Sequence, residues 1–212
     1  MAVSRTNEKY IHILENKDEQ TVFIYLEKVL PDEIYQQLWK ELLECQDWKQ
    51  GHTKSGQVID REQMWYQHDE KNFCPEWKTN FSRWKSHKYT SILKNVEKYI
   101  EERVNQVIPN GIEAVDYNSI LINRYRSGKQ FIPAHRDNPI SFGTYPTIAL
   151  LSLGCEREFE ILGKNCNYPY TLKDNSLLIM AGASQKYYKH QLLPDDKITK
   201  ERYSLSFREF LL

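Results

Sequence analysis

Arg202-Tyr203-Ser204-Leu205-Ser206-Phe207-Arg208 is the stretch from which the architecture of this 212-residue chain can be read. Side chains of a β-strand alternate between faces, so Tyr203, Leu205 and Phe207 share one face and Arg202, Ser204, Ser206 and Arg208 share the other. A strand of a closed barrel has one face in the core. The polar face then either meets solvent, as on an edge strand, or lines an internal cavity. In a cavity, a guanidinium fork matches a carboxylate bidentately and stays charged at any relevant pH.

Working outward, short β-favouring runs occupy 117–125, 130–135, 146–153, 157–162, 168–172, 176–181, 186–191 and 202–210. Ser-Gly, Asn-Pro, Gly, Asn and Pro-Asp signals separate them, as expected for a sandwich, barrel or jelly roll. Before Pro109-Asn110-Gly111 the texture is more helical. Thr21 to Leu26 reads as a strand. Leu30-Pro31-Asp32-Glu33 opens a helix, with Ile34, Leu38 and Leu42, widened by Trp39 and Leu43, as its apolar stripe and an end near Cys45. Gly51 to Gly56 is turn-like, and Val58 to Tyr66 is either a strand or an extended lid. A second helix over 88–107 presents Ile92, Val96, Ile100, Val104 and Val107 to a sheet. Residues 1–20 are polar and expected to be frayed or loosely attached. With no repeat and no long linker, the expectation is one catalytic domain over 1–212. Residues 1–110 supply N-terminal helices, a strand and a substrate lid, and 111–212 form the β core.

Composition narrows the class. The chain is 27% charged with a formal charge of zero, so any nucleic-acid footprint must be local. No apolar run approaches the ~18 residues of a membrane span, and no signal-peptide pattern opens the chain. The expected setting is intracellular, cytoplasmic or nuclear, without membrane association, and the expected state is a monomer. Cys45, Cys74, Cys155 and Cys166 lack C-x-x-C spacing and are expected to be reduced and structural. Residues 77–96 contain no Asp or Glu, while Lys78, Arg83, Lys85, Lys88 and Lys94 alternate with Trp77, Phe81, Trp84 and Tyr89. Cations can neutralise phosphates and rings can stack on bases there. The other reading is a solvated loop with its rings tucked inward.

Three groups carry potential chemistry. His135-x-Asp137 places a nitrogen and an oxygen donor on the same side of a strand. With a distant histidine such as His190, 55 residues on, it would form a two-His-one-carboxylate face that leaves open positions on iron(II). Alone, the tripeptide is common, and a lone His190 is equally a packing or surface histidine. Asn123 and Tyr125, again at i and i+2, can donate to carboxylate oxygens or serve as ordinary strand-end polar residues.

Together these pieces resemble the AlkB family of iron(II)/2-oxoglutarate dioxygenases. The likeness extends through LINRYRSG, IALLSLG, REFEI, LLIMAGASQKYYKHQLLP and RYSLSFRE, covering about 117–210. Upstream, REQMWYQ looks like the segment before that family's nucleotide-recognition lid. The resemblance implies an α+β, mainly β fold, a double-stranded β-helix (jelly roll) with supporting N-terminal helices and a lid. It implies that His135, Asp137 and His190 hold Fe(II). Arg202 and Arg208 would meet the 2-oxoglutarate carboxylates, helped by Asn123 and Tyr125, and Ser204 stands where some relatives place an asparagine. With dioxygen, 2-oxoglutarate would go to succinate, and an N-linked methyl on a DNA or RNA base would be hydroxylated to a hemiaminal that releases formaldehyde. Trp65 or Tyr66 would flank the base, and Lys78, Arg83, Lys85 and Lys88 would meet the backbone. Two positions depart from the pattern. Nucleic-acid repair members often carry an acid two residues after the metal Asp, where this chain has Pro139, and Gln67 stands where glycine is common. Two alternatives remain at this stage: an oxygenase acting on a protein or small molecule, and a catalytically silent binding module.

Overall fold

The computed structural model describes residues 11–16, 20–52, 56–68 and 85–211. Twelve strands form two antiparallel sheets. The first seven strands in chain order are β1 (Ile11–Asn16), β2 (Thr21–Glu27), β3 (Lys49–His52), β4 (Val58–Gln67), β5 (Ser119–Tyr125), β6 (Ile132–His135) and β7 (Ile148–Gly154). They are followed by β8 (Arg157–Leu162), β9 (Asn167–Leu172), β10 (Ser176–Gly182), β11 (Lys189–Leu192) and β12 (Arg202–Arg208). The large sheet runs β1-β2-β10-β7-β12-β5-β4-β3, and the small one β6-β11-β8-β9. This is a jelly roll.

Alternation sorts the core into two layers. Between the sheets lie Phe23, Tyr25, Ile148, Leu150, Leu178 and Met180 from the large sheet, with Phe159, Ile161 and Leu192 from the small one. The other face of the large sheet carries Ile24, Leu151, Leu177, Ile179, Leu205 and Phe207. It is covered by α1 (Asp32–Glu44) and α2 (Ser91–Val107), which bury Leu38 and Leu42, and Val96, Ile100 and Val104, respectively. Acidic Asp32 and Glu33 follow the Pro31 cap of α1, where carboxylates favour the positive end of the helix dipole. The Thr90 hydroxyl caps α2 by accepting from Leu93 N (3.3 Å) and donates to Glu41 of α1 (2.7 Å), which fixes the helices to each other. Burying each of these large aliphatic side chains contributes roughly 1.5–3 kcal/mol, so the outer layer is a principal source of stability.

β12 sits at the centre, with β7 on one side and β5 on the other. All seven of its residues are buried. The polar face of Arg202, Ser204, Ser206 and Arg208 therefore meets the interior between the sheets, and the edge-strand alternative is excluded.

Some expectations change. The polar segment 1–20 contains β1, which pairs with β2 at the sheet edge. The turn-like segment from Gly51 begins inside β3, and Val58 to Tyr66 is a full strand rather than a lid. Residues 186–191 divide between a one-turn helix, α4 (Ser184–Tyr187), and β11. Nor does the change of texture near 110 separate layers: β2 pairs with β10 and β4 with β5, so both halves build one sheet. The cause is non-local pairing, which composition along the chain does not report. Among the described residues, no helix is long and apolar enough to cross a membrane.

Candidate metal centre

The small sheet brings the two histidines together. In the β6–β11 pair, His135 lies directly opposite His190, and directly opposed residues project to the same face. Their rings are 4.2 Å apart centroid to centroid, and His190 also stacks on Phe159 at 5.8 Å. Asp137 follows the end of β6. Its backbone N–H donates to Gln185 Oε1 of α4 (3.0 Å), which sets the path of the chain at that point. One donor atom from each of His135, Asp137 and His190 lies within 4.8 Å of the others.

Proton positions follow from the partners. His135 Nδ1 is 2.9 Å from the Pro133 carbonyl. A carbonyl only accepts, so Nδ1 carries the hydrogen and Nε2 presents its lone pair, 3.9 Å from Asp137 Oδ1. Burial pushes His190 down to about 3 and likewise lowers His135. Both rings are therefore neutral ligands at physiological pH. Burial alone would raise the Asp137 carboxyl, but the Arg208 guanidinium outweighs it and holds it below the ordinary value. Arg208 Nε donates to Asp137 Oδ2 at 2.6 Å. Two neutral imidazoles and one carboxylate suit a divalent first-row ion with open positions, so the donor set fits Fe(II).

Behind the triad lies a cavity of about 370 Å³, within the roughly 300–1,000 Å³ typical of small-molecule sites. Arg202, Ser204, Ser206 and Arg208 of β12, and Asn123 and Tyr125 of β5, line it with all three metal donors. Arg202 is 1% exposed. It donates through Nη2 to Ser152 Oγ (2.8 Å) and lies over the Tyr125 ring at 5.2 Å. Arg202 Nε and Arg208 Nη1 are buried and have no acceptor among the described residues. An unmatched buried donor costs about 1–3 kcal/mol, and a carboxylate in the cavity would satisfy both ends. The chamber thus fits a small dicarboxylate as well as a metal.

The expected substrate residues fall elsewhere. Trp65 is fully buried against Phe210, and Tyr66, on the opposite face of β4, packs beneath α2 near His87 and Tyr89. Neither ring lines the cavity. Either ring was expected to flank a base, but alternation sends Trp65 inward against Phe210 and Tyr66 outward toward α2. Lys85 and Lys88 are exposed. Lys88 borders a hollow with His68, Tyr89, Lys94 and Glu97 on the helix side, away from the metal donors. Lys78 and Arg83, with Trp77, Phe81, Trp84 and Cys74, lie outside the described residues.

Sequence reading passed over Arg61 and Gln63. Both line the cavity from β4 and both donate to Asn123 Oδ1, Arg61 through Nε at 3.1 Å and Gln63 through Nε2 at 3.0 Å. That double acceptance orients the Asn123 amide. The signal was the period-two face Ile59, Arg61, Gln63 within 58–67, which becomes meaningful once β4 is known to pair with β5.

Comparison with known proteins agrees with this geometry. The model for the 2OG-Fe(II) oxygenase superfamily matches residues 22–208. The alpha-ketoglutarate-dependent dioxygenase alkB homolog 3 of Homo sapiens is 32% identical over 128 residues, 55% of this chain and 42% of that one. The DNA oxidative demethylase ALKBH2 of Arabidopsis thaliana is 28% identical over 136 residues, 52% of this chain and 42% of that one. The match thus spans about two fifths of the length of these curated relatives. The solved structure of OsALKBH1 superposes with a TM-score of 0.60 at 16% identity, covering 88% of this chain and 96% of that one, a likeness of fold.

Proposed function

We propose that this chain, which belongs to the 2OG-Fe(II) oxygenase superfamily whose chemistry takes Fe(II), 2-oxoglutarate and dioxygen, is an AlkB-type oxidative demethylase of N-methylated nucleic-acid bases. The observation that carries the reading is the convergence of His135, Asp137 and His190 on a buried chamber whose far wall is guanidinium. Of the relatives of similar sequence, one is named an alpha-ketoglutarate-dependent dioxygenase and another a DNA oxidative demethylase.

His135, Asp137 and His190 hold the iron in this reading. When bound, the iron would couple oxidative decarboxylation of 2-oxoglutarate by dioxygen, to succinate and carbon dioxide, to hydroxylation of the methyl carbon, and the hemiaminal would release formaldehyde. The protein's own part is orientation and exclusion of water. Pro133 O fixes the His135 tautomer, and Arg208 with Gln185 aims the Asp137 carboxylate. Arg202, held by Ser152 and the Tyr125 ring, receives one cosubstrate carboxylate, with Tyr125, Asn123 and Ser204 beside it. Leu150, Phe159, Met180 and Leu192 keep the chamber apolar between these polar points.

The test is formaldehyde release from a panel of methylated DNA and RNA oligonucleotides with Fe(II) and 2-oxoglutarate. Loss of methyl from at least one oligonucleotide, coupled to succinate, is the expected result. Succinate formation with every oligonucleotide left intact would instead favour a protein or small-molecule substrate, the reading consistent with zero net charge and with Lys85 and Lys88 lying off the cavity wall.

A further inference from the structure

Of the residues that line the metal chamber, Arg136 is the one exposed at the surface, so it marks the mouth. Its Nε donates to the Tyr188 carbonyl (3.1 Å) and its Nη2 to that of Tyr187 (3.5 Å), which joins the mouth to the end of α4. A row of side chains leads outward from there. The Lys186 ammonium lies 5.1 Å from the centre of the Tyr187 ring and 5.8 Å from that of Tyr145. Tyr145 follows α3 (Pro139–Phe142), the one-turn helix that begins two residues after Asp137. The series Arg136, Tyr187, Lys186, Tyr145 is thus contiguous with the chamber and built on the segments that flank Asp137 and His190.

This rim combines exposed rings with uncompensated charge. Tyr187 is 40% exposed and Tyr145 57%. Arg136 and Lys186 are exposed as well, and neither has a carboxylate partner among the described residues. Asp137, the acid next to Arg136 in sequence, is buried and paired with Arg208. A cation beside two rings fixes them at the surface while its own charge stays in water. The result is a row in which aromatic faces alternate with positive charges. Its complement is a chain whose flat apolar faces alternate with negative charges, and a single nucleic-acid strand has that form. A duplex does not, because its base faces are covered by stacking within the helix.

Resting on the demethylase reading above, we propose that the Arg136–Tyr187–Lys186–Tyr145 rim is the platform on which a single nucleic-acid strand lies while its target base occupies the chamber. Bases beside the target stack on Tyr187 and Tyr145, and Arg136 and Lys186 meet the phosphates between them. The strand contact then lies on the chamber side of the molecule, whereas Lys88 borders a hollow on the helix side. Every base has a π-face, so this platform selects for an unpaired strand and not for the identity of the neighbouring bases.

The experiment uses the full chain and a fluorescein-labelled oligothymidylate of about twelve nucleotides, with binding followed by anisotropy. Tyr187→Ala and Tyr145→Ala should each weaken binding about ten-fold, the loss of one stacked base. Tyr187→Phe keeps the ring face and should stay within about two-fold of wild type. Lys186→Ala should lower the slope of log affinity against log salt by about 0.7, one phosphate contact on a single strand. Lys40→Ala, an equal charge change on α1, should leave that slope unchanged. Annealed to oligoadenylate, the same probe should bind more weakly and respond little to the tyrosine variants. Succinate formation from 2-oxoglutarate without nucleic acid should be the same in every variant. Wild-type affinity in both alanine variants overturns the proposal, as does an equal loss with the duplex or no measurable binding by wild type. A parallel loss of succinate formation also overturns it, since the tyrosines would then be supports of the chamber. Should an alanine variant fail to fold, the salt slope of Lys186→Ala still decides. Failure of the demethylase reading looks different: oligothymidylate binds through the rim as described, and no methylated oligonucleotide releases formaldehyde.

Discussion

Replacing Arg157 with methionine tests whether the loop that leads to His135 is held from inside. Arg157, on β8, is 1% exposed, and its guanidinium reaches into the connection between β5 and β6. Nη2 donates to the carbonyls of Gly128 (3.0 Å), Gln130 (2.8 Å) and Leu193 (2.6 Å), and Nη1 reaches Ser127 O at 3.4 Å. A hydrogen bond from a charged donor contributes about 1.5–3 kcal/mol. Nη2 carries only two hydrogens, so its three acceptors share them and the contributions do not add fully. Methionine matches the stem but donates nothing, so the Gln130 and Leu193 carbonyls lose this donor, while those of Ser127 and Gly128 keep the N–H groups of Gln130 and Asp195. Relief of the cation's desolvation offsets part of that loss. The expected net cost is about 3 kcal/mol, read from urea denaturation of the metal-free protein. Arg157→Lys should recover less than half, because a compact ammonium is more strongly hydrated, and so costlier to bury, than a guanidinium. Iron affinity should fall in the methionine variant, since the loop runs directly into the strand that bears His135. A loss below about 1 kcal/mol with wild-type iron affinity would refute the reasoning and show that water serves these carbonyls equally well.

Asp137→Asn leaves Arg208 as a buried cation without its carboxylate, the two side chains being 7% and 8% exposed. Metal-free stability should drop by about 3 kcal/mol in urea denaturation, and iron binding should be lost, whereas unchanged values on both counts would remove Asp137 from the site. Arg202→Met should raise the 2-oxoglutarate requirement by roughly 30-fold or more, the equivalent of one charge-assisted hydrogen bond, and an unaltered requirement in a succinate assay would place the carboxylate elsewhere. Burial, reinforced by Glu97 and opposed by the hydrogen bond from Tyr117 N, lifts Glu101 from its ordinary 4.5 to about 7. A carboxyl raised in the folded state stabilises fully below about 4.5 and loses that contribution as pH climbs through about 7. Glu101→Gln should therefore flatten the dependence of melting temperature on pH between 4.5 and 7; an undiminished slope in thermal scans would assign that slope to other groups.

Much of this molecule was legible in the alternation of its strands. Tyr203, Leu205 and Phe207 face the helices and Arg202, Ser204, Ser206 and Arg208 the chamber, as the two-residue period requires. The α1 boundaries were also readable, because Pro31, Asp32 and Glu33 act within a single helical turn. Less legible was 58–67, where a run of mixed polarity became a full strand only because β5 supplies its partner. The same pairing turns Trp65 inward and Tyr66 toward α2, and neither of these two candidates for flanking a base lines the chamber. Arg157 gave no local sign of its role, since the carbonyls it binds belong to segments 27 to 36 residues away.

By itself the sequence determined which side chains carry the chemistry and which face of its own strand each occupies, because a two-residue period is a local property of extended backbone. Only the tertiary structure decided who meets whom. His135 opposes His190 through the register of β6 on β11, Arg208 reaches Asp137 across the gap between sheets, and β4 brings Arg61 onto Asn123 in the same chamber. Register and sheet order are settled by packing between segments that lie tens of residues apart, and no periodicity within one strand encodes its neighbour.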